Sequence, residues 1–499
     1  MNRLGIIDIG SNSVRLVIVD VDNEGYFSII NEFKETVRLG DTDKNSVLKP
    51  ERVQKALYTL QTFKTICEAV RADRIICVAT AAVRKAPNQQ EFVDTVRKNT
   101  GIDVDVLQGS KEAIFAYYGV IHSMNEKKGL IMDIGGGSTE LVHFEDHMVK
   151  NSISLPFGSI DLAKKFDVSG SVSYENAQKL KEFLFAQFDN VPWLKKLKDL
   201  PLIGVGGTIR TIGKIDKKFR QYPLNLAHNY KIHSQNVHNI YSIVKEKPAE
   251  KRTKIKGLSK DRTDIFFGAC AAVWHLLEYC SIKNVIVSGS GIREGLIYDF
   301  IEKNHRPIEN VLDFSIENIM AKFKVDKQHA YQVLKLSSSM YSQLGDLLKI
   351  PKSAENVLKT AAMLHDSGIN ISYYDHNSHS FYMILNSGIN GLTHREIVMS
   401  AFAASLHRHK KLKLDWKEYS QILSKDDADS IIKISLLLRL SESFDTCMDN
   451  FIEDVTCEFD NEKAVINLIA PKKPNVEINR ALYAADVFEK LTNRKLVIQ

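Results

Sequence analysis

The segment LIMDIGGGSTELV, residues 130–142, decides the reading of this chain, because it repeats GIIDIGSNSVRLV, residues 5–17, at a constant offset. Seven of the thirteen positions are identical: Ile6/Ile131, Asp8/Asp133, Ile9/Ile134, Gly10/Gly135, Ser13/Ser138, Leu16/Leu141 and Val17/Val142. Each copy is an apolar run, a short Gly/Ser turn and a second apolar run, which is the pattern of a β-hairpin. A duplicated hairpin predicts two related α/β lobes.

Outward from the first copy, residues 51–70 have helical periodicity and residues 74–79 are rich in β-formers. A helix over 89–99, a strand over 104–107 and a helix from Lys111 to about His122 follow. The second copy leads to strands at 202–205 and 284–287, each running into a glycine-rich turn. Strands alternating with helices predict sheets covered by helices. After His305-Arg306-Pro307 strand signals nearly vanish and helical periodicity takes over until about Cys447, including a helix over 431–445. The last segment, 453–499, carries β-like runs at 454–459 and 463–469 and one helix over 479–491.

A chain of 499 residues is long enough for roughly three or four domains. Its net charge of +6 suits an anionic partner without identifying one. Basic residues concentrate between Lys245 and Arg262, eight against three acids, and the plainer account of that stretch is a solvated helix or loop. The six cysteines form no C-x-x-C pair and read as reduced, partly buried thiols of a cytoplasmic protein. Asp8 interrupts the first apolar stretch, so no signal peptide is expected, and no run of about 18 apolar residues predicts a transmembrane segment.

Four glycine-rich turns each follow a predicted strand: Gly10-Ser11-Asn12-Ser13, Gly135-Gly136-Gly137-Ser138, Gly204-Val205-Gly206-Gly207-Thr208 and Gly289-Ser290-Gly291. Turns poor in side chains let backbone N–H groups approach phosphate oxygens, and Ser and Thr add hydroxyl donors. One such turn is only a tight connection; four, two of them in duplicated hairpins, predict a phosphate cleft between lobes. Asp8 and Asp133 end apolar strands beside those turns, where a buried carboxylate is costly unless it binds a cation or accepts hydrogen bonds. With Glu140 on the outgoing strand, they suit a hard oxygen site for Mg²⁺, with turn capping the plainer alternative.

The motifs DIGSNS (8–13), ATAAVRKAPN (79–88), GSKEA (109–113), DIGGGSTEL (133–141), GVGGTIRT (204–211) and SGSGIREGL (288–296) together resemble the exopolyphosphatase and guanosine pentaphosphate phosphohydrolase (Ppx/GppA) family. The resemblance implies the fold shared by sugar kinases and actin, with lobes over 1–125 and 126–306. It implies Glu112 as the base that activates the attacking water, although a carboxylate in a first helical turn is otherwise explained by the helix dipole. Lys111 stands where the family has a further acid. Arg84 matches the family's phosphate-gripping arginine, a surface salt bridge being the plainer account. Substrate contacts are then expected from Gly10, Ser11, Asn12, Ser13, Arg84, Gly135, Gly136, Gly137, Ser138, Gly206, Gly207 and Thr208, with Mg²⁺ at Asp133 and Glu140.

In the helical region, His329, His365-Asp366 in AAMLHDSG and the segment RLSESFD (439–445) resemble the HD superfamily of metal phosphohydrolases. This implies an HD-like domain over 307–452, followed by a small α/β segment over 453–499. The ligands of a second metal would be His329, His365, Asp366 and Glu442, with Asp445 the competing position for the last. His376, His379, His394, His407 and His409 are expected in solvent or structural roles. The resemblance implies release of orthophosphate from inorganic polyphosphate by a cytoplasmic homodimer with no specific nucleic-acid partner. Guanosine pentaphosphate hydrolysis, a non-hydrolytic nucleotide-binding module and a hydrolytic HD domain are the rival readings.

Overall fold

The computed structural model describes residues 2–197, 199–408 and 414–499. The chain divides into two compact units, Met1–Val311 and Leu312–Gln499.

The first unit is built on two mixed sheets. One contains β1 (Asn2–Ile9), β2 (Ser13–Val21), β3 (Phe27–Thr36), β4 (Arg74–Ala79) and β5 (Val104–Val106), in the order β3-β2-β1-β4-β5. The other contains β6 (Lys128–Ile134), β7 (Thr139–Glu145), β8 (Met148–Leu155), β9 (Leu202–Val205), β10 (Tyr230–His233) and β11 (Asn284–Val287), in the order β10-β11-β9-β6-β7-β8. In each sheet an antiparallel three-strand meander is extended on the side of its first strand by two parallel strands, and the second sheet adds β10 antiparallel at its edge. The sequence duplication is thus a duplication of topology. Register carries the repeat to single residues: Asp8 lies opposite Arg15, and Asp133 lies opposite Glu140, so the equivalent partner position is cationic in one copy and anionic in the other.

Both hairpin strands are buried nearly throughout, which explains their continuous apolar runs, and each sheet packs helices against them. Helix Pro50–Ala69 buries Leu60 and Phe63 on the first sheet; helix Phe266–Tyr279, apolar nearly all round, is packed among helices Ser159–Lys165, Tyr174–Asp189, Gly206–Arg220 and Ser234–Glu246 in the core of the second. Each fully buried aliphatic side chain contributes about 1.5–3 kcal/mol, so the two clusters hold the turns at the strand ends in place. Helix Gly109–Ile121, which starts two residues before the expected Lys111, meets helix Ile292–Asn304 backbone to backbone. A Cβ on Gly295 would lie 1.9 Å from the Phe115 carbonyl oxygen, so only glycine permits that approach.

The basic stretch 245–262 is not a uniformly solvated face. Arg252 is fully buried and donates to the carbonyls of Lys247, Val168, Ser169, Gly170 and Thr263, satisfying a guanidinium that burial would otherwise penalise. Of the six free cysteines, Cys67, Cys77, Cys270 and Cys280 are buried.

The second unit is helical, with long helices Lys327–Leu348, His394–Leu406 and Lys425–Phe444 among its packed elements. The last begins six residues before the expected Ile431, because Ser424 and Asp427 form a capping box. The C-terminal segment differs from expectation in two respects. A 3₁₀ turn at Leu482–Ala484 splits the single expected helix into Asn475–Ala481 and Ala485–Thr492. The final run Lys495–Ile498, set off by Asn493 in the left-handed region, pairs parallel to β13 (Lys463–Ile469) as β14, and β12 (Asp454–Phe459) completes the sheet. No helix among the described residues is long and apolar enough to cross a membrane.

Candidate active site

All four glycine-rich turns open into one cleft of the first unit. Its walls include Gly10, Ser11, Asn12 and Ser13 after β1, Gly135 and Gly136 after β6, Gly206 and Gly207 after β9, and Gly291 after β11. The two hairpin turns touch: a Cβ on Gly136 would lie 2.6 Å from that of Ser11. Gly206 begins helix Gly206–Arg220 at φ +89°, and a Cβ there would lie 2.8 Å from Oδ1 of Asp133. The absence of a side chain keeps that oxygen open to the cleft. Asn12 contributes a buried Nδ2 with no hydrogen-bond partner, a donor left over for an acceptor in the cleft.

Carboxylates gather at the floor. Glu112, Asp133 and Glu140 are buried, and all three line the cleft together with Asp8. The β6/β7 register sets Asp133 beside Glu140, and helix Gly109–Ile121 delivers Glu112 from its first turn. Burial pushes Glu112 up to about 7, against the pull of Arg84, with Asp133 and Asp8 adding to the rise. Burial likewise lifts Asp133 to about 6 and raises Asp8. Glu140 is held well above the carboxylate range by burial and by the neighbouring Glu112 and Asp133 charges, although Ser154 Oγ donates to its Oε1 at 2.8 Å. Mutual repulsion of this kind marks a set of hard oxygen donors short of positive charge.

Four arginines stand above the floor. Arg15, Arg210, Arg262 and Arg293 all line the cleft. Glu32 on β3 fixes two of them, at 2.5 Å from Arg293 Nη1 and 3.8 Å from Arg15 Nη1. Burial, and then the nearby Arg15, lower Arg210 to about 10, so the cationic wall is itself crowded. Sequence reasoning did not single out these arginines. Arg210 and Arg293 were inside the GVGGTIRT and SGSGIREGL motifs, Arg15 was inside the repeat GIIDIGSNSVRLV, and Arg262 ended the basic stretch from Lys245.

Not every expected contact faces the cleft. Arg84 is not among the lining residues; its Nη1 donates to Glu112 Oε2 at 2.6 Å and to the Leu107 carbonyl at 2.7 Å. Gly137, Ser138 and Thr208 are not lining residues either, and Ser138 and Thr208 are buried. Lys111 pairs with Asp105 at the surface, 2.9 Å away.

The second unit brings His329, His365, Asp366 and Glu442 together, with ligand atoms close enough to share a metal ion. Glu442 Oε2 lies 3.0 Å from His329 Nε2 and 3.2 Å from His365 Nε2, whereas Asp445 sits behind His329, 2.7 Å from its Nδ1. Of the solvent or structural roles expected for the remaining histidines, solvent is excluded for three: His376, His394 and His407 are buried, and His376 and His407 form a second cluster with Asp366. Their apolar helices carry them inward, where backbone carbonyls hold the His376 and His407 rings. His379 is half-buried, and His409 lies outside the described residues.

Two mixed sheets meeting over glycine turns, with an acidic floor and an arginine wall, define a protein that handles phosphate groups. The Ppx/GppA phosphatase family matches residues 17–304 and its domain III matches residues 311–489, so the chain belongs to that family and is an enzyme of it. It is 26% identical over 417 residues to a guanosine-5'-triphosphate,3'-diphosphate pyrophosphatase of Vibrio vulnificus, covering 81% of this chain and 80% of that one. The structure is similar to that of an exopolyphosphatase from Cytophaga hutchinsonii, at 25% identity and a TM-score of 0.57, over 60% of this chain and 98% of that one. It is also similar to the Aquifex aeolicus Ppx/GppA family member, at 29% identity and a TM-score of 0.53, over 61% and 99% of the two chains.

Proposed function

We propose that the protein is an exopolyphosphatase, which releases terminal orthophosphate from inorganic polyphosphate with Glu112 as general base. The observation that carries this reading is a buried carboxylate, pushed up to about 7, in the same cleft as the glycine turns and four arginines. A base with a pKa near the working pH combines a useful deprotonated fraction with a strong pull on the water proton. Arg84 occupies Oε2 and positions the side chain; Oε1 takes the proton as the water oxygen bonds to the terminal phosphorus and the bridging P–O bond breaks. Phosphoanhydride hydrolysis needs little more from the protein than an in-line water and neutralisation of the phosphoryl oxygens. Backbone N–H groups of the turns, Asn12 Nδ2 and the arginines hold those oxygens.

The donor set fits a magnesium ion, because the carboxylates are hard, buried and mutually destabilised. Asp133 and Glu140 would hold it, with Asp8 beside them, and when bound it would supply charge neutralisation at the phosphoryl oxygens. The doubled β3-β2-β1-β4-β5 order supports actin-like lobes over 1–125 and 126–306. The His-Asp cluster supports an HD-like reading of 307–452, ahead of the α/β segment 453–499, with a metal on His329, His365, Asp366 and Glu442. Guanosine pentaphosphate hydrolysis is the second reading, because the Vibrio relative named for that substrate aligns with 81% of the chain. Phosphate release from polyphosphate and from guanosine pentaphosphate, each with and without Mg²⁺, tests both; polyphosphate turnover no faster than pentaphosphate turnover rejects the first.

A further inference from the structure

His228, just ahead of β10, bonds to two backbone groups that belong to different parts of the active site. Its Nε2 lies 2.8 Å from the Ser123 carbonyl, just past the helix that carries Glu112, and its Nδ1 accepts from Gly289 N–H at 3.0 Å in the fourth glycine turn. The ring ties the helix of the candidate base to that turn. The two also pack directly, since a Cβ on Gly119 would lie 3.0 Å from Gly291 N.

A backbone N–H only donates and a carbonyl only accepts, so Nδ1 is bare and Nε2 carries the proton. Only one neutral tautomer satisfies both partners. Desolvation lowers the pKa of the ring, against the Ser123 carbonyl and the Glu294 charge, and so preserves that form.

The link continues into the cleft. The Gly289 carbonyl accepts from Arg210 Nη1 at 3.3 Å, and among the described residues Arg210 has no other hydrogen bond and no ion pair. The N–H and the carbonyl of Gly289 lie on the peptide planes either side of its Cα, and glycine restricts rotation between such planes least of all residues. His228 holds the first plane; Ser290 N–H, which donates to Ser288 Oγ at 3.2 Å, and Arg210 itself hold the second. Ring, turn and guanidinium thus stand in series.

We infer that His228 is a positioning residue for phosphate binding, which sets the Gly289 carbonyl and through it the place of the Arg210 guanidinium in the cleft. His228 is not a lining residue of the cleft, whereas Arg210 is, so the effect passes through the arginine. The inference rests on the reading of the cleft arginines as holders of phosphoryl oxygens, and adds the residue that aims one of them.

The test measures tripolyphosphate affinity of the full chain by isothermal titration calorimetry in Mg²⁺, with the melting temperature recorded beside it. His228→Asn places an amide oxygen where Nδ1 lies and keeps the acceptor for Gly289, while His228→Gln reaches the Ser123 carbonyl and leaves Gly289 N–H unmet. His228→Gln is expected to weaken binding roughly tenfold, the scale of one lost hydrogen bond, and His228→Asn by less than about threefold. With Arg210→Gln already in place, His228→Gln is expected to cost less than about twofold more, because the two residues act in series. Equal losses from His228→Asn and His228→Gln, or a full loss from His228→Gln on top of Arg210→Gln, overturn the inference, since a merely structural histidine would give either result. Gly289→Ala presses on the same link from the other side, its Cβ lying 3.0 Å from that of His228, and it decides the matter where a His228 variant fails to fold. It is expected to weaken binding in the wild type and not in Arg210→Gln; an additive loss overturns the inference. Binding needs no turnover, so failure of Glu112 as base or of polyphosphate as preferred substrate leaves this test standing, whereas a wild type that does not bind tripolyphosphate removes the reading and the inference together.

Discussion

Arg84 Nη1 donates to Glu112 Oε2 at 2.6 Å, yet the carboxyl group it holds sits at about 7. Burial and the neighbouring Asp133 and Asp8 charges outweigh the guanidinium. Removing Arg84 takes away the largest favourable charge, so Arg84→Gln should raise the Glu112 pKa further. The acid limb of the kcat/KM profile should move to higher pH, whereas Arg84→Lys, which keeps the charge and loses the fork, should move it less. Superimposable profiles for wild type and Arg84→Gln would show that the pair does not govern the base.

Glu112→Gln keeps the shape of the side chain and removes its basicity. Turnover on polyphosphate should fall by roughly two to four orders of magnitude, the usual scale for a general base, with the circular dichroism spectrum intact. Retention of more than about a tenth of wild-type activity would remove Glu112 from the role.

The same burial has a consequence for stability. Glu112, Asp133 and Glu140 all have folded pKa values above their ordinary ones, so the folded state binds more protons than the unfolded state between about pH 4 and 7. Their contribution is complete below the ordinary carboxylate pKa and is lost as pH rises through about 6 and 7. In chelator, the urea midpoint of the wild type should therefore drop more between pH 5 and 8 than that of Glu112→Gln/Glu140→Gln. An equal drop in both proteins contradicts the assignment.

Much of the first unit was legible because its signals are local. Strands buried on both sides are written as unbroken apolar runs, and β4, β9 and β11 fall at the residues expected of them. The partly exposed strands β3 and β8 were missed, since their alternating polar residues resemble loop composition. In the site, residues carried by glycine turns could be read directly, and Arg15 follows from the hairpin that sets it opposite Asp8, whereas Arg262 enters the cleft only through tertiary packing. His376 and His407 illustrate the same limit: nothing adjacent to them in sequence reveals that they face Asp366.

Loss of one anionic oxygen at the cleft floor should weaken the proposed cation site without abolishing the base. Asp133→Asn and Glu140→Gln should each raise the Mg²⁺ concentration needed for half-maximal phosphate release. Unchanged Mg²⁺ titrations in both variants would place the ion elsewhere.

Gly206 joins the backbone to the cation site proposed at Asp133, and its replacement separates geometry from charge. At φ +89° an L-residue is strained by roughly 1–2 kcal/mol, and the added methyl would lie 2.8 Å from Asp133 Oδ1. Gly206→Ala should lower the melting temperature and also displace the Asp133 carboxylate, so its Mg²⁺ requirement should rise as it does for Asp133→Asn. Gly170, whose Cβ would meet nothing within 4 Å, is the control: Gly170→Ala should leave the Mg²⁺ titration unaltered. If Gly206→Ala loses thermal stability but titrates with Mg²⁺ like the wild type, the glycine serves only the helix start, and the openness of Asp133 Oδ1 is irrelevant to metal binding.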